Sequence, residues 1–155
     1  MAVEGKLTTT ELPPGYESAR GTFHITMNPQ PPYDTADGVS LARLTINKTF
    51  SGGLEATSVV EMLSAMTSVK GSAGYVAIER VTGSLNGKDG SFVLQHNGTM
   101  VRGAGELTVA IVPDSGTRGL TGISGSMTID IVDGRHLYAL VYRMTEDPVG
   151  ATGGA

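Results

Sequence analysis

Cysteine and tryptophan are both absent from the 155 residues of this chain, and the other aromatics are scarce, at 5% of the sequence. Without cysteine there is no disulfide framework, no thiolate metal site and no cysteine nucleophile. Histidine is almost as rare. His24, His96 and His136 stand far apart and lack two-histidine helical spacing, so no metal site is expected. Charged residues make up 17% of the chain, the net charge is −4, and no basic run or basic-aromatic stripe occurs. A nucleic-acid partner is therefore not expected, because phosphate backbones are held by clustered Lys and Arg. No apolar run approaches a membrane span, and the first residues show no basic segment followed by an apolar one. The expectation is a soluble, cytoplasmic protein with no membrane partner.

Motifs of the common enzyme classes are missing as well. "GSAGYVAIE" and "GISGSM" lack the strand, glycine turn and helix that a dinucleotide or phosphate loop needs, and there is no nucleophile elbow or two-histidine zinc helix. A hydrolase or nicotinamide enzyme is disfavoured, and no cofactor is expected.

What is present is a period of two. Phe23, Ile25 and Met27 alternate with Thr22, His24 and Thr26; Leu107, Val109 and Ile111 alternate with Glu106 and Thr108; Met127, Ile129 and Ile131 alternate with Thr128 and Asp130. Such alternation marks half-buried strands. Asp133-Gly134 reads as a tight two-residue hairpin, and Asn86 to Gly90 as a hairpin with a longer loop. Glu55 to Met66 has some helical spacing, but hydroxyl residues interrupt it, and a long strand is the better reading. Asn28 to Gly38, with three prolines, reads as a long connection. About seven or eight strands result, arranged as an antiparallel sandwich or barrel. A chain of this length forms one domain that buries roughly 70% of its unfolded surface. Its bounds are expected at residues 20–144, with tails at 1–19 and 145–155.

"PDSGTRGLTGISGSM", Pro113 to Met127, is dense in glycine and hydroxyls like a phosphate cradle. No helix follows it to supply an anion-binding terminus. It is better read as a barrel corner, with Gly116, Gly119, Gly122 and Gly125 permitting the bends and Leu120 and Ile123 plugging the end. In "HLYALVYRM", Leu137, Ala139 and Val141 share one face and Tyr138, Leu140 and Tyr142 the other, so neither face is plainly for water. One face then lines a barrel and the other meets a partner, which implies a homo-oligomer.

Taken in order, "GYVAIERVTGSLNGKDGSFVLQHNGTM", "IVPDSGTRGLTGISG" and "DGRHLYALVY" resemble the bacterial family known as domain of unknown function 3224, over roughly Arg20 to Met144. That family is similar in fold to plant allene oxide cyclase, a small barrel that closes an allene oxide into a cyclopentenone without a cofactor. The resemblance implies an all-β fold, a closed antiparallel β-barrel of about eight strands, with a lumen ligand and oligomerisation. It also shows a departure: where the cyclase carries an aromatic and then a glutamate in its first strand, this chain has Phe23 and His24. Ala139 and Val141 likewise stand where the bacterial family tends to carry acidic residues.

For chemistry, His96 is the leading candidate. It shares a strand face with Phe92, Leu94 and Met100, and a buried imidazole can move a proton near neutrality, although the ordinary reading is a satisfied core histidine. Glu79 alternates with Tyr75, Ala77 and Val81 and lies opposite Arg80, so one of these two charges points inward. Glu61, between Val60 and Met62, is placed with the same ambiguity. Each glutamate is a candidate acid or base if buried and a surface ion pair otherwise. Tyr75, Tyr138 and Tyr142 can hold a carbonyl or enolate oxygen; Phe92 and His24 complete the expected binding wall. The expected function is a barrel binding a small apolar molecule, with acid and base chemistry of an isomerase, cyclase or lyase by His96, Glu79 and Glu61. The alternatives are a non-catalytic, lipocalin-like binding barrel and a side-chain-filled interaction module.

Overall fold

Alternation becomes strands throughout the computed structural model, which describes residues 12–145. The strands are β1 (Glu17–Pro29), β2 (Ser40–Gly52), β3 (Leu54–Met66), β4 (Ala73–Leu85), β5 (Lys88–Val101), β6 (Ala104–Ile111), β7 (Ile123–Val132) and β8 (Arg135–Met144). Each is bonded antiparallel to its sequence neighbours, and β1 pairs with β8, so the eight strands close into a barrel. Closure removes the sheet edges that an open eight-stranded sheet would expose. The expected long strand over Glu55 to Met66 is β3, one residue longer. The expected tails at 1–19 and 145–155 lie largely outside the described residues, but β1 starts at Glu17, inside the first of them.

Turn chemistry sets the connections. Asn86-Gly87, Arg102-Gly103 and Asp133-Gly134 each place two residues at positive φ, 47° and 89°, 48° and 95°, and 53° and 78°. That is the two-residue turn whose twist suits a hairpin. The longer loop expected over Asn86 to Gly90 is therefore a two-residue turn, and Lys88 and Asp89 already belong to β5. Asn28 and Pro29 finish β1, and the connection to β2 includes a short 3₁₀ turn at Ala36–Gly38.

The interior is divided along the barrel axis. At one end Phe50, Leu54, Leu85, Phe92, Leu94, Leu120, Ile123 and Leu140 are buried in one continuous cluster. Leu120 and Ile123 close that end from the corner after β6, as their sequence position implied. The hydroxyls of this corner have a structural task. β5 runs past the end of β6, and the corner pairs its free edge: Ser91 N donates to Thr117 Oγ1 at 3.0 Å, Val93 N to Ser115 Oγ at 3.0 Å, and Thr117 N to the Ser91 carbonyl at 2.9 Å. A Cβ at Gly116 would collide with the Leu120 carbonyl, so the tight corner requires glycine there. At the opposite end Met27, Met66, Met100, Leu107 and Ile131 are exposed around an open mouth.

β6 and β7 differ from every other neighbouring pair. They are in register only at Val109 with Met127 and Ala110 with Ser126. From there to the mouth the two strands pair on their outer sides, with β5 and β8, and not with each other.

Candidate functional site

β4 and β5 set the site by alternation and register. Tyr75, Ala77 and Glu79 point inward from β4, and Gly98, His96 and Leu94 oppose them on β5, in that order from mouth to floor. Charges are not expected on such a face without partners. Here Glu79 is 0% exposed and fully partnered. Its Oε1 lies 2.7 Å from His96 Nε2 and 3.2 Å from Lys48 Nζ, and its Oε2 accepts a hydrogen bond from Ser58 Oγ at 2.6 Å.

Burial pushes the Glu79 carboxyl up, but the His96 bond, the Lys48 charge and the Ser58 hydroxyl outweigh it and hold it below its ordinary value. Glu79 is thus ionised, and the proton of its bond to His96 sits on Nε2. A carboxylate that orients an imidazole through such a bond is the arrangement found in hydrolytic triads. Lys48 also stands 4.5 Å from the centroid of the Phe23 ring, which in turn stacks on His136 at 5.0 Å. No buried side-chain nitrogen or oxygen among the described residues lacks a partner.

A cavity of about 610 Å³ lies toward the mouth, lined by Tyr75, Gly98, Met100, Leu107, Met127 and Ile129 and continuing outward to Thr128, Asp130 and Glu106. Its size suits a small organic molecule. Tyr75 lies over Gly98, where a Cβ would meet its ring at 2.5 Å, so glycine at 98 lets the phenol lie against the wall. Burial, with the Glu79 charge added, raises the Tyr75 hydroxyl above its ordinary value. The phenol is therefore a neutral donor. His96 is the next inward residue below Gly98 on β5.

Of the three residues expected to do acid and base work, the barrel unites Glu79 and His96. Glu61 faces outward, exposed, and accepts a hydrogen bond from Thr45 Oγ1 at 3.2 Å. β3 is apolar on both faces, with Val60 and Met62 inside and Val59 and Leu63 outside, and alternation alone could not place it. His24 is likewise exposed on the outer face of β1. Tyr138 and Tyr142 do point inward, but at the packed end. The Tyr138 hydroxyl accepts from Leu54 N at 2.9 Å and donates to the Ser51 carbonyl at 3.0 Å; Tyr142 is bonded to Asn86 Nδ2 at 2.6 Å. Phe92 is buried in the same packed half. Only Tyr75 of the expected binding wall lines the cavity.

Lys48 and Ser58 were not expected. Their signal was in the sequence: Lys48 alternates with Ile46 and Phe50, and Ser58 with Ala56 and Val60, each a polar residue on an apolar face. Ala139 and Val141 lie on the outer face of β8; Ala139 borders the outer part of the cavity, and Val141 does not. Among the described residues no group of three His, Asp or Glu side chains is placed to hold a metal, and no helix is long and apolar enough to cross a membrane.

Comparison with known proteins adds a lineage. No curated protein matches the chain. A crystal structure of a protein of unknown function from the DUF3224 family of Shewanella oneidensis MR-1 is similar to it, with 48% sequence identity, a TM-score of 0.80, and coverage of 84% of this chain and 99% of that one. Residues 19–142 match the family described as protein of unknown function DUF3224, and with that match reaching all eight strands, the chain belongs to the DUF3224 family.

Proposed function

We propose that this barrel binds a small, largely apolar molecule bearing a carbonyl or similar acceptor oxygen in its lumen and moves a proton on it without a cofactor, in an isomerisation, cyclisation or elimination. The observation that carries the proposal is the order of inward residues along β4 and β5: the neutral Tyr75 phenol on the cavity wall against Gly98, then, at the next inward position of β5, His96 oriented by the ionised Glu79. Tyr75 would hold the acceptor oxygen, and charge developing on that oxygen strengthens such a bond in a dry site. His96 Nδ1 would take the proton, while Glu79, itself held by Lys48 and Ser58, orients the ring and stabilises the positive charge it gains. The kinship with the plant cyclases expected from the sequence enters only as this class of reaction.

A buried ion pair supports the same reading by its cost. Apolar residues of similar volume often serve stability as well or better, so four polar groups gathered into one buried cluster point to a use other than stability. The alternative, a barrel that binds without turnover, is favoured by the complete burial of Glu79. A panel of apolar ketones, enones and epoxides, assayed for binding by fluorescence and for turnover by chromatography, separates the two. Turnover that disappears in His96→Ala and falls in Tyr75→Phe supports catalysis; binding with no turnover by any compound leaves the binding barrel; no binding at all sinks both.

The cytoplasmic setting expected from composition is part of this proposal. So is self-association, for which β3 and β4 offer an apolar outer face in addition to that of β8. There Val59, Leu63, Val76 and Ile78 are about half exposed around Glu61, Arg43 and Arg80. A second copy related by a two-fold axis can set Glu61 of each chain against an arginine of the other.

A further inference from the structure

The cavity is bordered by residues of both faces of the barrel wall. Leu107, Met127 and Ile129 point inward, whereas Glu106, Thr128 and Asp130 point outward, yet all of them border the same space. Between these residues the ladder that would close the wall is missing: β6 and β7 pair only at Val109 with Met127 and Ala110 with Ser126, whereas each flanking pair, β5 with β6 and β7 with β8, continues toward the mouth. Continued in the same register, Thr108 would face Thr128, Leu107 would face Ile129, and Glu106 would face Asp130. The last of these is the reason we find for the open seam: two carboxylates directly opposite each other destabilise strand pairing.

We propose that this seam is the port through which the ligand reaches the lumen, with Leu107 and Ile129 as its apolar lips and Glu106 and Asp130 holding it apart. The inference rests on the lumen-binding reading above and adds the route and the residues that control it. The port is an incision down one side of the mouth, so a molecule slides in sideways between two strands, and its length is not limited by the width of the mouth. The ligand class that fits is elongated: an apolar body in the lumen whose far end emerges between Thr128 and Glu106.

The absence of cysteine makes a direct test available. Leu107→Cys, and separately Met27→Cys across the mouth, each carry one thiol at a position that is 41% and 50% exposed in the native chain. Each is treated with a bulky aromatic maleimide, so the same folded protein serves as its own reference. Association of the neutral fluorophore N-phenyl-1-naphthylamine is followed by stopped flow before and after. The expected result is at least a tenfold slower association after modification at 107 and little change at 27. Equal slowing at both positions, slowing at 27 alone, or no slowing at either overturns the port while leaving lumen binding intact. Failure of the unmodified native chain to bind the probe overturns the lumen reading and the port with it. Ile129→Cys, on the other lip, repeats the test if Leu107→Cys does not fold.

Discussion

Glu79 and His96 meet at 2.7 Å although neither is the other's direct partner across β4 and β5: Glu79 opposes Leu94, and His96 opposes Ala77. They are diagonal neighbours on the inner face, within reach because both side chains are long. Lys48 arrives from β2 and Ser58 from β3, so four consecutive strands contribute one group each.

The first prediction concerns that cluster's place in folding. Glu79→Gln leaves Lys48 buried without its counter-charge and should cost about 3–5 kcal/mol, read as a lower urea midpoint. Lys48→Met combined with Glu79→Gln should cost clearly less than the sum of the two single changes. Strict additivity would mean that the two groups do not interact in solution.

Acid should expose the same interaction. The folded-state pKa of Glu79 is held below its ordinary value, so its contribution to stability is complete above the ordinary carboxylate range and is lost as pH falls through the lowered value. Urea titrations of the native chain at decreasing pH should show this loss. Glu79→Gln should lack that component, and identical pH profiles for the two proteins would contradict the assignment.

Two tyrosines on the inner face should behave differently. Tyr138→Phe removes the acceptor of the Leu54 amide and should cost about 1–3 kcal/mol without altering probe binding. Tyr75→Phe should leave stability nearly unchanged and weaken binding of carbonyl-bearing compounds. The same stability loss in both would show that Tyr75 is a packing residue.

Gly98→Ala tests the cavity wall. The added methyl group meets the Tyr75 ring and pushes it into the space it borders. Overpacking of this kind costs about 1–3 kcal/mol, and probe affinity should fall with it. Glu61→Gln, on the outer face, is the counterpart: stability within about 0.5 kcal/mol of native and unchanged lumen binding.

The sequence made the grouping of residues by face legible and left height along the axis unreadable. Alternation put His96 with Phe92 and Leu94 and set Glu79 and Arg80 on opposite faces, because the period of a strand is a local property, but which of those two charges points inward was decided only by the closed ring. Whether an inward residue lies in the packed half or the hollow one depends on strand tilt and register, which are set by the whole ring. That is why Tyr138, Tyr142 and Phe92 resembled Tyr75 in the sequence and yet lie at the other end. The open seam was partly visible, since Glu106 and Asp130 each stood in a recognised alternation, but their opposition requires the register of β6 and β7.

The uninterrupted order β1 to β8, with β1 returning to β8, makes the chain a ring in all but its covalent ends. Every strand already lies beside its neighbours in sequence, and Glu17 stands opposite Tyr142 where the ring is joined. The same barrel can therefore be written starting at another strand. A circular permutant that joins β8 after Met144 to β1 before Glu17 by a short linker and opens the chain between Arg102 and Gly103 keeps every strand neighbour, and it puts its new ends beside the seam.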